Sequence, residues 1–295
     1  MSKLSVSIGI MAYNEDRNIG QLLESLLAQK LRHVTLSEII VISSGSSDQT
    51  NAIVRSVATK DSRIKLISQK KRLGKATVVN LFIAKAKQDI LVLMSADLQL
   101  KQNTLENLVT PLANAKIGIV GAHPLPVNDP HAFFGYAAHL LWGLHHQISL
   151  HQPKMGEMIA FRKIFKQIPV LSAVDEANIE PLIRGQGYQA FYQSKAVVYN
   201  KGPENLKEFL AVRRRVYAGH LAAKYEYSYE VSTFSGLTIA QCLFRNLKIT
   251  PAVIFWTPAV VFLEVIGRAL GYLDYCFKRK DHTIWETAVS TKKLS

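Results

Sequence analysis

Three short polar clusters in the first hundred residues carry side chains that could do chemistry. They are Ala12-Tyr13-Asn14-Glu15-Asp16, Ser43-Ser44-Gly45-Ser46-Ser47-Asp48-Gln49-Thr50 and Ser95-Ala96-Asp97-Leu98. A fourth, Arg72-Leu73-Gly74-Lys75-Ala76, enters a stretch that contains Asn80. Hydroxyls can hydrogen-bond a base edge, and carboxylates can hold a hard divalent cation. Further along, Val174-Asp175-Glu176-Ala177-Asn178-Ile179-Glu180 places an acidic pair at the start of a helical pattern. Such a carboxylate can act as a general base, and it also suits the positive end of a helix without any catalysis.

These clusters need elements to hold them. Residues 4–11, 38–42, 63–68 and 89–94 are short apolar runs of strand character. Between them, 17–30, 48–60 and 75–87 carry apolar residues at helical spacing. Apolar strands separated by amphipathic helices predict an α/β domain with a mainly parallel sheet covered on both faces. Ligands of such sheets bind outside the carboxyl ends of the strands. Residues 12–16, 43–48 and 95–99 fall there. Beside the ligand reading, Ser46, Ser47 or Asp48 could serve as a helix N-cap, and Asp48 is assigned that role.

A chain of 295 residues with 48% hydrophobic content can bury a large core. Its formal net charge of +14 favours anionic partners, with a solvated basic surface as the plain alternative. The two cysteines, Cys242 and Cys276, give no disulfide framework and no zinc spacing. The start, MSKLSVSIGIMAYNE, lacks the apolar stretch and cleavage site of a signal peptide. A cytoplasmic main domain is therefore expected. Nucleic-acid binding is not, because the arginines are not interleaved with stacking aromatics.

In order and in register, the four clusters resemble glycosyltransferase family 2, whose members share the GT-A fold (Rossmann-like). The family pattern is a YNE-type turn, a DDGSxDxT turn, a GKxxAxN helix start and a DxD turn. The resemblance implies an inverting transferase that takes a sugar from a nucleotide donor, with UDP preferred to GDP. It implies that Tyr13 lies against the base, with Asn14 beside it. Glu15 and Ser44 would give polar contacts to the nucleoside. Gly74 and Lys75 would close over it, and Asp97 would bind a divalent cation, Mg or Mn. The register puts Glu176 at the family's catalytic base, with Asp175 as the substitute because the pair reads DE and not ED. Two departures stand out. Ser43-Ser44 replaces paired aspartates, and Ser95 replaces the first aspartate of DxD. A serine can hydrogen-bond but supplies no charge.

The run Val212-Arg213-Arg214-Arg215-Val216 resembles the QxxRW motif of membrane-bound synthases, with the Gln and Trp missing. Arg213, Arg214 and Arg215 are candidates for a diphosphate or lipid phosphate, since a guanidinium binds oxyanions bidentately. A solvated basic helix face is the alternative. The histidine-rich stretch HAFFGYAAHLLWGLHHQISLHQ is expected to form an amphipathic helix beside the acceptor cleft and not a metal site. His123 receives no role.

Residues 249–263 are uncharged and apolar but contain Pro251 and Pro258. With basic residues Arg245, Lys248, Lys278, Arg279 and Lys280 nearby, they predict re-entrant or interfacial helices more than a clean span. The expected organisation is a catalytic domain over 1–230 and a membrane-associating helical segment over 231–295, at the cytoplasmic face. The acceptor would be lipid-linked or a glycan. Rival readings are a polyprenyl-phosphate sugar synthase and a non-catalytic nucleotide-sugar-binding scaffold.

Overall fold

The computed structural model describes residues 3–169, 176–227, 239, 241–243, 251–280 and 288–294. The expected alternation is present. Strands β1 (Leu4–Ala12), β2 (Val34–Ser44), β3 (Ile64–Gln69) and β4 (Ile90–Ser95) are separated by helices α1 (Ile19–Leu27), α2 (Thr50–Ala58) and α3 (Lys75–Lys85). Then come β5 (Gln99–Leu100), α4 (Thr104–Val109), β6 (Ile117–Pro126), α5 (Phe133–Ser149) and β7 (Met158–Arg162). The chain continues through α6 (Glu176–Arg184), β8 (Gln189–Asn200), α7 (Leu206–Tyr227) and α8 (Pro251–Phe277).

The strands form one sheet in the order β3-β2-β1-β4-β7-β6-β8-β5. β1 is parallel to β2 and β4, and β2 is parallel to β3. β7 runs antiparallel to both β4 and β6, while β6 and β8 are parallel. β5 opposes β8. Six strands thus share one direction, and their carboxyl ends lie along one edge.

Successive side chains of a strand point to opposite faces, so each apolar strand feeds two cores. Ile39 and Val41 join Ile8, Ile10 and Val92 under α1, where Leu22, Leu23 and Leu26 are buried. Ile40 and Ile42 join Leu91, Leu93 and Phe161 under α3 and α6, against Val79, Phe82, Ile83, Ile179 and Ile183. This two-sided burial explains why the strands read as unbroken apolar runs.

A third cluster joins helices instead of strands. Ala137 of α5, Phe209 of α7 and Val260 of α8 are buried together, with Phe133, Leu140, Leu210 and Leu263 around them. Tyr136 and Thr257 share a hydroxyl–hydroxyl hydrogen bond of 2.6 Å. α8 packs closely on α7 because Gly267 and Gly271 face it. A Cβ at Gly267 would lie 2.7 Å from Arg213 Cβ, and one at Gly271 would lie 2.5 Å from the Arg214 carbonyl oxygen.

The prolines do not divide the apolar run as expected. α8 is a single helix of 27 residues that continues through Pro258. Its stretch Val253–Phe277 is long and apolar enough to cross a membrane. Ile254, Phe255, Phe262, Val265 and Phe277 are exposed along it. The expected boundary near residue 230 falls between α7 and α8, which pack on one another. Of the 231–250 segment, only residues 239 and 241–243 are described, so Arg245 and Lys248 lie outside the described residues.

Candidate active site

The chain runs outward from β1 to β2 and β3, then returns past β1 to place β4 on its other side. That reversal opens a crevice beyond the carboxyl ends of β1 and β4, where sheets of this kind bind ligands. The register fixes what lines it. Ala12 is opposite Ser43, and Met11 is opposite Ser95. Just past the strands, Ala96 N donates to Met11 O at 3.2 Å. Tyr13, Ser44 and Asp97 therefore share one edge, as the sequence predicts.

The first two loops are stitched together by short polar side chains. Asn14 takes a left-handed φ of 52°. Its N–H donates to Ser46 Oγ (3.1 Å), and its Oδ1 accepts from Ser47 N (2.9 Å). Glu15 N donates to Thr50 Oγ1 at 2.7 Å. Asp48 Oδ2 accepts from Asp16 N (3.1 Å), while Oδ1 accepts from Thr50 N (3.0 Å) and Thr50 Oγ1 (2.6 Å). The N-cap position of α2 is held by Gln49 and not by Asp48, which lies one residue before it, accepts from Thr50 at the helix start and ties that start to the β1 loop. Between them Gly45 sits at φ 71°, and a Cβ there would come within 2.9 Å of Arg72 N. Only glycine allows the Arg72 loop to close this far.

That approach carries the Arg72 guanidinium to 3.9 Å from the centre of the Tyr13 ring, a cation–π contact. Gly74 caps α3 with φ 87°, and Lys75 is the first residue of that helix. Asn80, one turn on, donates to Ile168 O (2.9 Å) and accepts from Ile168 N (2.7 Å). It pins the strand-to-helix connection that leads towards the acidic pair. Ser44 Oγ is buried and makes no hydrogen bond among the described residues.

Glu15 is 4% exposed. Burial, and then the nearby negative charge of Asp97, raise its pKa to about 7, against the opposing pull of Lys292 and Asn18. Asn18 Nδ2 donates to Glu15 Oε2 at 3.0 Å, and Lys292 Nζ donates to Glu15 Oε1. Nothing in the sequence pattern signals Lys292, which arrives from 277 positions away. Arg72 was legible only as a neighbour of Gly74.

Asp97 is half-buried beyond the end of β4, two residues from the Ser95 hydroxyl. No group of three or more histidine, cysteine or acidic side chains is arranged for a metal among the described residues. One carboxylate still fits a magnesium-like ion, whose octahedron is commonly completed by substrate phosphates and water. The donor set fits such an ion together with a phosphorylated ligand.

Other expected residues lie elsewhere. Asp175 is outside the described residues, and Glu176 opens α6 with its side chain not described. Arg213 binds Glu264 of α8 through two bonds of 2.5 and 2.6 Å, and Arg268 joins the same carboxylate. Arg214 binds Asp274 bidentately. These two arginines, expected at a diphosphate or lipid phosphate, are met by carboxylates of α8, because α7 and α8 pack side by side. Arg215 is half-buried on the same helix. The histidine-rich stretch is helical as expected. His146 stacks on His123 of β6 with ring centroids 4.0 Å apart, and its Nδ1 bonds the Tyr192 hydroxyl at 2.9 Å.

An α/β sheet covered by helices, with an aromatic, hydroxyls and an aspartate at its switch point, defines a GT-A-like fold. A mannosyltransferase from Pyrobaculum calidifontis, solved in complex with GDP-Man and Mn2+, superposes with a TM-score of 0.65 over 93% of this chain and 88% of that one, at 19% identity. Glucosyl-3-phosphoglycerate synthase from Mycobacterium tuberculosis, solved with Mn2+, UDP and phosphoglyceric acid, gives 0.51 over 75% and 78%, at 20% identity. The model of glycosyl transferase family 2 matches residues 7–173, more than half of the chain, and the chain belongs to that family. Among curated relatives, glycosyltransferase GlyG of Streptococcus pneumoniae is 28% identical over 108 residues, 37% of this chain and 35% of the relative. A dolichyl-phosphate beta-glucosyltransferase of Trichomonas vaginalis is 30% identical over 112 residues, 36% of this chain and 33% of the relative. The chain thus spans about a third of the length of these curated relatives.

Proposed function

We propose that this chain is an inverting glycosyltransferase that moves a sugar from a nucleoside-diphosphate donor to a lipid-linked or glycan acceptor at the cytoplasmic face of a membrane. The observation that carries the reading is the convergence on one crevice of Tyr13, Glu15, Asp97 and the buried Ser44 hydroxyl, which has no hydrogen-bond partner among the described residues. Tyr13 offers a face for the base, with Arg72 on the ring. Glu15 and Ser44 hold the nucleoside by hydrogen bonds, and Gly74 and Lys75 border it. A divalent ion at Asp97 would neutralise charge on the diphosphate. The acceptor oxygen attacks the anomeric carbon while the bond from that carbon to the phosphate oxygen breaks, and the configuration inverts. Glu176, or Asp175 in its place, takes the acceptor proton, and the nucleoside diphosphate leaves with the bonding pair. The exposed apolar side of α8, continuing into Lys278, Arg279 and Lys280, supports contact with a lipid surface.

A phosphate acceptor is the second reading, favoured by the similarity to a dolichyl-phosphate glucosyltransferase. Such an acceptor arrives ionised and needs no base.

The test is thermal stabilisation by UDP- and GDP-sugars with and without Mn2+. A ligand specific for the native state raises stability, by about 2.7 kcal/mol at a hundredfold excess over Kd. One nucleotide sugar should stabilise the protein in a Mn2+-dependent way, and Asp97→Ala should abolish the metal dependence while the unliganded melting temperature stays put. Absence of any stabilisation across the panel would reject the transferase reading.

A further inference from the structure

Residues 289–292 lie against the β1 loop that borders the crevice just described. Val289–Lys292 form one 3₁₀ turn that is held at both ends. At one end the Glu208 carboxylate of α7 accepts from Val289 N (2.9 Å), Ser290 N (3.3 Å) and the Ser290 hydroxyl. Glu204 N also donates to Ser290 Oγ at 3.0 Å. At the other end Asn18 Nδ2 donates to Lys292 O at 3.0 Å. Lys292 Nζ donates to Tyr13 O at 2.9 Å and to the Glu15 carboxylate. The turn therefore bridges α7 and the loop after β1.

We propose that residues 289–292 form a strap that blocks the nucleoside end of the crevice, with Lys292 occupying the hydrogen-bonding positions that a nucleotide needs. The inference rests on the reading of Tyr13 and Glu15 as nucleoside contacts. Lys292 uses Glu15 Oε1 while Asn18 uses Oε2, so both carboxylate oxygens are engaged. Burial of Glu15 to 4% exposure accompanies this contact. A nucleoside hydroxyl that donates to Glu15 Oε1 competes there with the ammonium. The strap is held by hydrogen bonds and the Lys292–Glu15 ion pair and buries none of its own apolar side chains, with Val289 72% exposed. A segment with no buried apolar contacts of its own belongs to the less stable end of a fold, and a ligand that takes over the Glu15 contact favours its release.

When only a fraction of molecules is competent, the apparent Kd rises by the inverse of that fraction. A strap seated in about nine molecules of ten weakens nucleotide binding about tenfold. The experiment is calorimetric titration of the full chain with UDP and with GDP, both with Mn2+, for the natural sequence, Lys292→Met and Glu208→Ala. Glu208→Ala decides the matter, because it frees the strap without touching Glu15. It should tighten nucleotide binding by about tenfold, and hydrogen exchange at Val289 and Ser290 should speed up on adding nucleotide to the natural sequence. Equal or weaker nucleotide binding by Glu208→Ala, or slower exchange of those amides on adding nucleotide, overturns the strap. Binding of nucleotide equally by all three forms rejects the strap alone. No binding by any form rejects the donor-site reading and the strap with it.

Discussion

Asp175 and Glu176 carry the sharpest expectation for a single residue. A general base acts only in the chemical step, so Glu176→Gln should leave sugar-donor affinity intact and lower turnover by about 100- to 10,000-fold. That is roughly 3–5 kcal/mol of barrier. If Asp175 is the base, Asp175→Asn gives the large loss instead. Two variants with natural turnover would favour the phosphate acceptor. His145 offers a pH test. Burial, and then the Lys154 charge, lower its pKa to about 3, so it is neutral in the folded protein and protonates near 6.5 when unfolded. Its stabilising contribution is present above pH 6.5 and is lost as pH falls. Between pH 6.5 and 5 the loss is about 1.5–2 kcal/mol. Urea unfolding of His145→Leu should show an acid slope shallower by that amount. An unchanged slope would mean the imidazole charges freely in the fold.

Among the elements, the connection from β7 to α6 and the α7–α8 pair are set by polar side chains. Asn80 clamps Ile168 through both the N–H and the carbonyl of that residue. Asn80→Ala should cost about 1–3 kcal/mol in unfolding experiments, the range for leaving half-buried backbone groups unmet. Because the clamped segment leads to the acidic pair, turnover should fall more than sugar-donor affinity. Between α7 and α8, the Asp274 side chain is fully buried against Arg214. Arg214→Leu withdraws a bidentate partner from that carboxylate and should cost about 3–5 kcal/mol. Adding Asp274→Leu should recover most of the loss. If the double variant is as unstable as the single one, the pair is not what joins the helices.

For the whole molecule, the question is what α8 faces. One side seals the cluster of Ala137, Phe209 and Val260, so removing the helix would expose α5 and α7. The membrane reading is better tested on the outer side, where Phe255 is 74% exposed and Phe262 is 65% exposed. The natural chain should sediment with vesicles that contain anionic lipid. Phe255→Glu combined with Phe262→Glu should release it into the supernatant with an unchanged melting temperature. If both proteins partition alike, the outer side of α8 contacts protein.

The sheet was legible because both its faces are buried, which leaves unbroken apolar runs such as DILVLM between amphipathic helices. The crevice was legible for a related reason. In a parallel sheet the strand ends follow directly from strand positions, so Tyr13, Ser44 and Asp97 could be placed beside one another from order alone. The continuity of α8 was not, because a proline lowers local helix preference while the packing of Gly267 and Gly271 against α7 is a property of two helices separate in sequence. Nor were the partners of Arg213 and Arg214, since one sequence cannot say whether a cation will meet a ligand or a carboxylate from another element. The arrival of Lys292 at Glu15 is the extreme case. Local spacing determines what a residue can bind, but contacts between elements 277 positions apart exist only once packing has brought them together.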